Sequence, residues 1–352
     1  MLLNREEFLA QLESISPGLS ASETTEQSSC VVFRKGWMMS FNEEVACKRK
    51  TPLRLTAAVQ AAPLLKLLQQ MTETDIDVSL GEGAKKGVLL IKGQRRQSGI
   101  RMEAEVTLPI GEVEKPGEWQ SLPNKFLDAV QMVQRCAAKS ESTAFALTCV
   151  HLHPKWVEAT DTIQVARYRI RTGLSEACLV RREAIKHITS LGMTHVSETA
   201  GWLHFKNPDG LRLSLRRYLE KFQNLSPFLK TSGTPTTLPK GLADATTKAE
   251  IFSAENADQN EVTVTLLPGK LRVRGEGACG WYKEHKTIKY DGPTITFSMS
   301  PSLLADITRR YHDCEIAEGR MLKVQGGRYT YVTSLEATTT TTKKERDDDE
   351  SE

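Results

Sequence analysis

The chain announces a helix six times, in three pairs, and a sequence that repeats itself has to solve one packing problem three times over. The pairs are "REEFLAQLESI" (5–15) with "LTAAVQAAPLLKLLQQM" (55–71), "LPNKFLDAVQMVQRCAAK" (122–139) with "EACLVRREAIKHITSL" (176–191), and "LPKGLADATTKAEIF" (238–252) with "TITFSMSPSLLADITRR" (294–310). The second member of each pair carries an apolar or small pair and then an apolar residue one turn on: Leu64/Leu65 and Leu68, Ala184/Ile185 and Ile188, Leu303/Leu304 and Ile307. That spacing is a helical stripe. Pro63 and Pro301 suit a first helical position, and Ser300 stands where it caps the helix that Pro301 opens. In 122–139, Phe126, Leu127, Val130, Val133 and Ala137 fall on one face, and Lys125, Asp128, Met132, Arg135 and Lys139 on the other.

Short strands fill the intervals, three after each helix, such as "FALTCVHLHP", "KWVEATD" and "TIQVARYRI", then "HVSET", "GWLHFKN" and "DGLRLSLRRYL". The period is about 115 residues, which predicts three domains at 1–115, 116–234 and 235–337. Each would pack two helices on one face of antiparallel sheets, an α+β solution. The stretch 338–352 is Thr-rich with an acidic end, has nothing apolar to bury, and is predicted to be a disordered tail.

Charge and cysteine content narrow the function. The formal net charge is +3, and 338–352 holds three basic and six acidic residues, so the rest of the chain carries +6. A mildly basic body suits a polyanionic partner without requiring one. The seven cysteines are scattered with no CxxC pair, which fits a reducing cytosol better than a disulfide or zinc framework. No signal peptide and no run long enough for a membrane span is expected.

Two features carry the sense of an enzyme, and each falls short. "GEGACG" (275–280) has Gly-x-Gly-x-x-Gly spacing, but a dinucleotide fingerprint needs a helix after it. The adjoining stretch, "WYKEHKTIKY", alternates as a strand, so Gly275, Gly277 and Gly280 are expected to form a connector that takes positive φ. His151 and His153 share one strand face without a third metal ligand. No Gly-x-Ser-x-Gly elbow and no Walker loop is present. No cofactor, metal or catalytic residue is assigned.

The order of these pieces resembles the bacterial DNA sliding clamp, the beta subunit of the replicative DNA polymerase. "VEATDTIQVARYRI" (157–170) is similar to the family's strand–turn–strand around Ala-Thr-Asp, here Ala159, Thr160 and Asp161. "DGPTITFSMSPSLLADITRRYHDCEI" (291–316), "LEKFQNLSPFL" (219–229) and "YTYVTSLE" (329–336) occupy the places of its last strand and helix, its second-domain end and its C-terminal strand. The chain departs from the family at the turn Thr162-Ile163-Gln164-Val165, at "FQNL" and at Ser334-Leu335-Glu336, as a divergent, virus- or plasmid-encoded member with altered partner specificity would.

The resemblance implies a cytoplasmic, non-enzymatic processivity factor: a head-to-tail homodimeric ring around double-stranded DNA, tethering the polymerase and loaded by a clamp-loader ATPase. Twelve helices at spacings of 8–10 Å would give a hole roughly 35 Å wide. It implies DNA contacts from Lys125, Arg135, Lys139, Arg181, Arg182, Lys186, Lys248, Arg309 and Arg310. Lys and Arg are common on any solvated helix face, so these faces alone assign no ligand. A partner-peptide groove is implied at Thr160, Asp161, Thr162, Gln164, Val165, Pro227, Val332, Ser334 and Leu335. The subunit seam would use Ile251 and Phe252 against Glu103 and Glu105 in a strand "RMEAEVTLP". The other reading is a clamp-like scaffold that recruits proteins without encircling DNA.

Overall fold

The computed structural model describes residues 1–83, 86–139, 144–254, 260–317 and 321–334. One order of elements runs through it three times. The first pass has strand β1 (Leu2–Asn4), helix α1 (Arg5–Ser14), strands β2 (Cys30–Arg34), β3 (Trp37–Phe41), β4 (Val45–Lys50) and β5 (Ala57–Gln60), helix α2 (Ala61–Gln70), and strands β6 (Asp75–Leu80), β7 (Val88–Lys92) and β8 (Gln97–Arg101). The second has β9 (Gln120–Ser121), α3 (Phe126–Val133), β10 (Cys149–His153), β11 (Trp156–Thr160), β12 (Gln164–Arg169), β13 (Cys178–Arg181), the single turns α4 (Arg182–Ile185) and α5 (His187–Ser190), and β14 (His195–Glu198), β15 (Trp202–Lys206) and β16 (Arg212–Arg216). After a short α6 (Ser226–Leu229), the third has β17 (Thr234–Thr237), α7 (Leu242–Ser253), β18 (Val262–Leu267), β19 (Lys270–Gly277), β20 (Gly280–Thr287), β21 (Ile295–Met299), α8 (Pro301–Arg310), β22 (Asp313–Ala317), β23 (Met321–Gly326) and β24 (Tyr329–Ser334).

By compactness the chain divides into two units. One comprises Met1–Gln134, Lys139–Val157 and Arg171–Phe222; the other comprises Arg135–Ala138, Glu158–Ile170 and the described residues from Gln223 onward. In the first unit one sheet runs β1-β6-β7-β8 and another runs β5-β2-β3-β4-β16-β15-β14-β9, all antiparallel. In the second unit β12-β24-β23-β22-β17 forms one antiparallel array and β20-β19-β18-β21 another. Two strand pairings therefore splice one pass to the next: β4 with β16, and β12 with β24.

The long sheet of the first unit has two different faces. Val32 opposes Met39, and Phe33 opposes Met38, so these pairs point to opposite sides. On the Phe33 side, α1 packs its buried Phe8 and Leu12, with the Phe8 and Phe33 rings 6.4 Å apart. Helix α1 starts cleanly because the Asn4 side chain accepts from Glu7 N at 3.1 Å, with Glu6 and Glu7 in the first turn. On the Val32 side, Cys30, Val32, Met39, Phe41, Ala46 and Trp202 form a smaller core closed by Val106, Leu108, Ile110 and Val113. His204 sits there, 1% exposed, its ring nitrogens 2.8 Å from Ser214 Oγ and 3.1 Å from Thr199 Oγ1.

Several expectations change. The helix expected over 122–139 is α3, followed by a 3₁₀ turn to Cys136, and Lys125 precedes it at φ 68°. Met132 is buried, not on the polar face, because a helix of only eight residues turns that side to protein. The stretch 176–191 splits into a strand and two single turns, which places Arg181 in β13 rather than in a helix. Pro63 is the third helical residue, since α2 begins at Ala61. Ser300 holds the N-cap position of α8 without a cap bond; its hydroxyl lies 3.2 Å from that of Ser302.

"GEGACG" lies at a two-residue hairpin, Gly277 opposing Gly280 around Ala278 and Cys279. Of its glycines only Gly280 has positive φ, at 140°. Gly275 serves a different need: α7 crosses β19 so closely that a Cβ there would stand 1.9 Å from the Ala249 carbonyl oxygen.

Gly275→Ala is expected to destabilise the protein by about 3 kcal/mol in denaturant titration, the upper end for overpacking. Burial depresses the His204 pKa to about 4. Its neutral form then contributes stability that is fully present above the unfolded value near 6.5 and is lost as pH falls from there toward 4. The loss should reach about 3 kcal/mol, and His204→Gln should flatten that part of the profile.

Candidate functional site

The turn between β11 and β12 is built by one carboxylate. Asp161 Oδ1 accepts from Ile163 N at 3.0 Å and Gln164 N at 2.9 Å, and Oδ2 accepts from the Gln164 side-chain amide at 2.8 Å. These bonds hold Thr162 at φ 84°, an uncommon conformation for a β-branched residue, with its N–H donating to Thr160 Oγ1 at 3.1 Å. Strand β24 then fixes the turn from the side. Val165 opposes Val332, Ser334 N donates to Ile163 O at 2.9 Å, and the Tyr331 hydroxyl donates to Gln164 Oε1 at 3.0 Å. Behind it, Arg167 places two nitrogens on Glu158 Oε2 at 2.6 and 2.7 Å, and a third on Ser226 Oγ at 3.2 Å, which ties α6 to β12.

The second unit thus gathers the expected groove residues, in two roles. Thr160, Val165 and Val332 are buried and shape the sheet. Asp161, Thr162, Gln164, Pro227 and Ser334 remain accessible, and Leu335 lies outside the described residues. Two residues that sequence reasoning passed over are the more informative: Ile163 is 55% exposed and Phe228 is 53% exposed. An apolar residue at the apex of a polar turn was the available signal for Ile163.

The expected DNA-contacting cations divide by what already holds them. Arg135 is committed, bonded to Asp306 Oδ2 at 2.6 Å and to Ser302 O at 2.9 Å. Arg181 stacks on the Phe145 ring at 5.1 Å and faces Glu44 at 3.5 Å, and Arg182 is half-buried. Lys125, Lys139 and Arg310 are exposed. Lys186 pairs with Glu183, Lys248 lies 3.7 Å from Glu284, and Arg309 lies 3.6 Å from Asp306, all as exposed ion pairs. Such pairs contribute about 0–1 kcal/mol and exchange readily for another anion. Within the units, α1 packs on α2, α3 on α5, and α7 on α8.

Of the expected seam residues, Glu103 and Glu105 are placed differently from expectation. Ile251 is 69% exposed near the end of α7, Phe252 packs under Gly280, and Trp281 on β20 is 59% exposed. The strand expected over 101–109 does not form, because β8 ends at Arg101 and the chain turns back to pair with β5. Glu103 N donates to Ala58 O at 2.9 Å, and Glu105 O accepts from Gln27 Nε2 at 2.6 Å. Both carboxylates are thus off the edge strand, which is β8 itself. Among the described residues no set of three or more His, Cys, Asp or Glu side chains is arranged to hold a metal ion. His153 stacks on Trp156 at 3.6 Å. No helix among them is long and apolar enough to cross a membrane.

Glu158→Leu should cost about 3 kcal/mol, because it removes the carboxylate that matches the half-buried Arg167 guanidinium. Asp161→Ala should cost about 1–2 kcal/mol and raise amide exchange at Ile163 and Gln164. Equal exchange in variant and parent would contradict the turn's dependence on this carboxylate.

No family model matches the chain, and no curated protein sequence matches it. Solved structures do. The DNA polymerase III subunit beta of Pseudomonas aeruginosa superposes over 96% of this chain and 99% of its own, with a TM-score of 0.70 at 15% identity. The beta chain of Streptococcus pneumoniae gives 0.73 at 13% identity over 96% and 99%, and that of Thermotoga maritima 0.71 at 13% over 96% and 98%. Over 96% of its length, the chain has the α+β fold of the bacterial DNA polymerase III beta sliding clamps.

Proposed function

We propose that the protein is a DNA sliding clamp, a non-enzymatic processivity factor that encircles duplex DNA and tethers a replicative polymerase. The observation that carries this reading is the match over 96% of the chain to polymerase III beta subunits, themselves covered to 99%. On this reading the domains are 1–115, 116–234 and 235–337, and the partners are duplex DNA, a polymerase, a clamp-loader ATPase and a second copy of the chain.

The strand pairings support closure into a ring. Two of the splices between passes are made within the chain, β4 with β16 and β12 with β24. Strands β8 and β20 are sheet edges among the described residues. A head-to-tail dimer that joins β20 of one copy to β8 of the next repeats the same splice and removes two exposed edges. Ile251 and Trp281, exposed beside β20, would then be covered. On the helices, Lys125, Lys139, Lys186, Lys248, Arg309 and Arg310 supply sequence-independent phosphate contacts that exchange as the DNA slides. Accessible Asp161, Thr162, Ile163, Gln164, Pro227, Phe228 and Ser334 form the surface for a partner peptide, with Leu335 proposed beside them.

One observation favours the alternative of a scaffold that does not encircle DNA. The exposed side of α1 carries Glu6, Glu7 and Glu13, so the first pass offers an acidic helix where duplex would run.

Topology separates the two. Protein loaded on a nicked circular plasmid should stay bound through a high-salt wash and be released when the plasmid is cut; equal retention on circle and line means plain electrostatic binding. The solution mass should be about twice 39.2 kDa. Ile251→Asp combined with Trp281→Asp should shift it to the monomer.

A further inference from the structure

The Val32 side of the long sheet in the first unit, the side away from α1, carries an unexplained row of charge. Cross-strand register places Lys48 on β4 opposite Arg212 on β16, and Arg212 opposite Lys206 on β15. Residues directly opposite share a face, and neighbouring strands lie about 4.8 Å apart, so three cations stand abreast within roughly 10 Å. His195 on β14 opposes Lys206 and continues the row. Among the described residues none of Lys48, Arg212 or Lys206 makes an ion pair. The nearby carboxylate of Glu114 accepts instead from Gly201 N at 3.1 Å. Like charges placed directly across strands oppose folding. The burden is visible in Lys48, whose pKa is lowered by burial and then by Arg212 and Lys115. An anion laid over such a row relieves the repulsion.

Two half-buried tryptophans flank the row. Trp37 on β3 has Lys48 at 4.6 Å, Arg212 at 5.4 Å and Lys50 at 5.9 Å from its ring centre. At the other end Lys206 lies 4.8 Å from the Trp119 ring. Between them a cleft of about 130 Å³ is lined by Lys48, Lys115, Trp119 and Arg212 together with the Glu114 carboxylate and His204. Small-molecule sites run to roughly 300–1,000 Å³, so this cleft suits a single phosphate with the rest of its chain outside. Cations that track a backbone, with aromatic rings at intervals, are the arrangement that binds single-stranded nucleic acid without reading sequence.

We propose that this sheet face binds the phosphate backbone of single-stranded nucleic acid across Lys48, Arg212 and Lys206, with Trp37 and Trp119 as stacking platforms at its two ends. The site is separate from the helix faces proposed for duplex DNA, and it stands whether or not the protein forms a ring.

The test is fluorescence anisotropy of a labelled oligodeoxythymidylate of about 16 nucleotides with the full chain. The triple variant Lys48→Gln, Arg212→Gln, Lys206→Gln should bind at least about ten-fold more weakly, and the slope of log affinity against log salt should fall by about 2 for three lost contacts. Its melting temperature should stay level or rise, since repulsion is removed; if it does not fold, Lys206→Gln alone should still lower affinity and slope. Trp37→Phe with Trp119→Phe should weaken binding about five-fold or more. The variant Lys125→Gln, Lys248→Gln, Arg310→Gln should retain single-strand binding while duplex retention falls, which keeps this proposal distinct from the clamp reading. Unchanged affinity and slope in the folded triple variant would overturn it. So would displacement of the oligonucleotide by polyglutamate at equal charge concentration, which would assign the face to an acidic protein.

Discussion

The pairing of strand edges across consecutive passes is the interaction on which the rest of the structure depends. A sheet edge is a row of unsatisfied backbone donors and acceptors, and a chain built from repeated sheets multiplies such edges. Here β4 takes β16 and β12 takes β24, so each splice turns two edges into continuous sheet. Two of the surfaces described above hang on these splices. The β12–β24 pair supplies Ser334 N and the Tyr331 hydroxyl that fix the Asp161 turn, and the β4–β16 pair sets Lys48 beside Arg212. The same logic underlies the proposed head-to-tail dimer, in which the edge strands β8 and β20 would make one more splice.

Charge is handled differently in each place. Arg167 is half-buried and paired with the buried Glu158, so its charge is already committed to ordering the turn. Lys248 and Arg309 sit in exposed pairs that cost little to break, as the proposed sliding contact would require. Lys48, Arg212 and Lys206 form no ion pair among the described residues, although they stand directly across strands from one another and burial, then Arg212, lowers the Lys48 pKa. The three settings are a matched structural pair, exposed pairs that exchange at little cost, and a row of cations with no ion pair.

Much of this was legible in the sequence, because periodicity reports which side of an element is buried. Leu64 and Leu68, Ala184, Ile185 and Ile188, and Leu303, Leu304 and Ile307 are buried as their spacing implies. The threefold order of helices and strands came from the same signal, and the strand after "GEGACG" removed the nucleotide reading. What failed was tertiary. Gly275 is glycine because of Ala249, a residue 26 positions earlier that meets it only when α7 lies on β19. Met132 is buried by neighbours that no local pattern reveals. Glu103 and Glu105 leave the edge strand because their backbone finds β5 and Gln27. The row Lys48–Arg212–Lys206 joins residues over 150 positions apart, visible only once the register of β4, β16 and β15 is known.

The hairpin between β19 and β20 has a practical corollary. Its tip holds Cys279, the one exposed thiol; Cys30, Cys47, Cys136, Cys149, Cys178 and Cys314 are all buried. Burial pushes the Cys47, Cys178 and Cys314 thiols up to about 12, so little thiolate exists there at neutral pH. An electrophilic dye would therefore mark the native molecule at a single point, next to the strand on which subunit closure is proposed to occur. The chain comes with its own site for a fluorescent reporter of opening and closing, with no cysteine to add or remove.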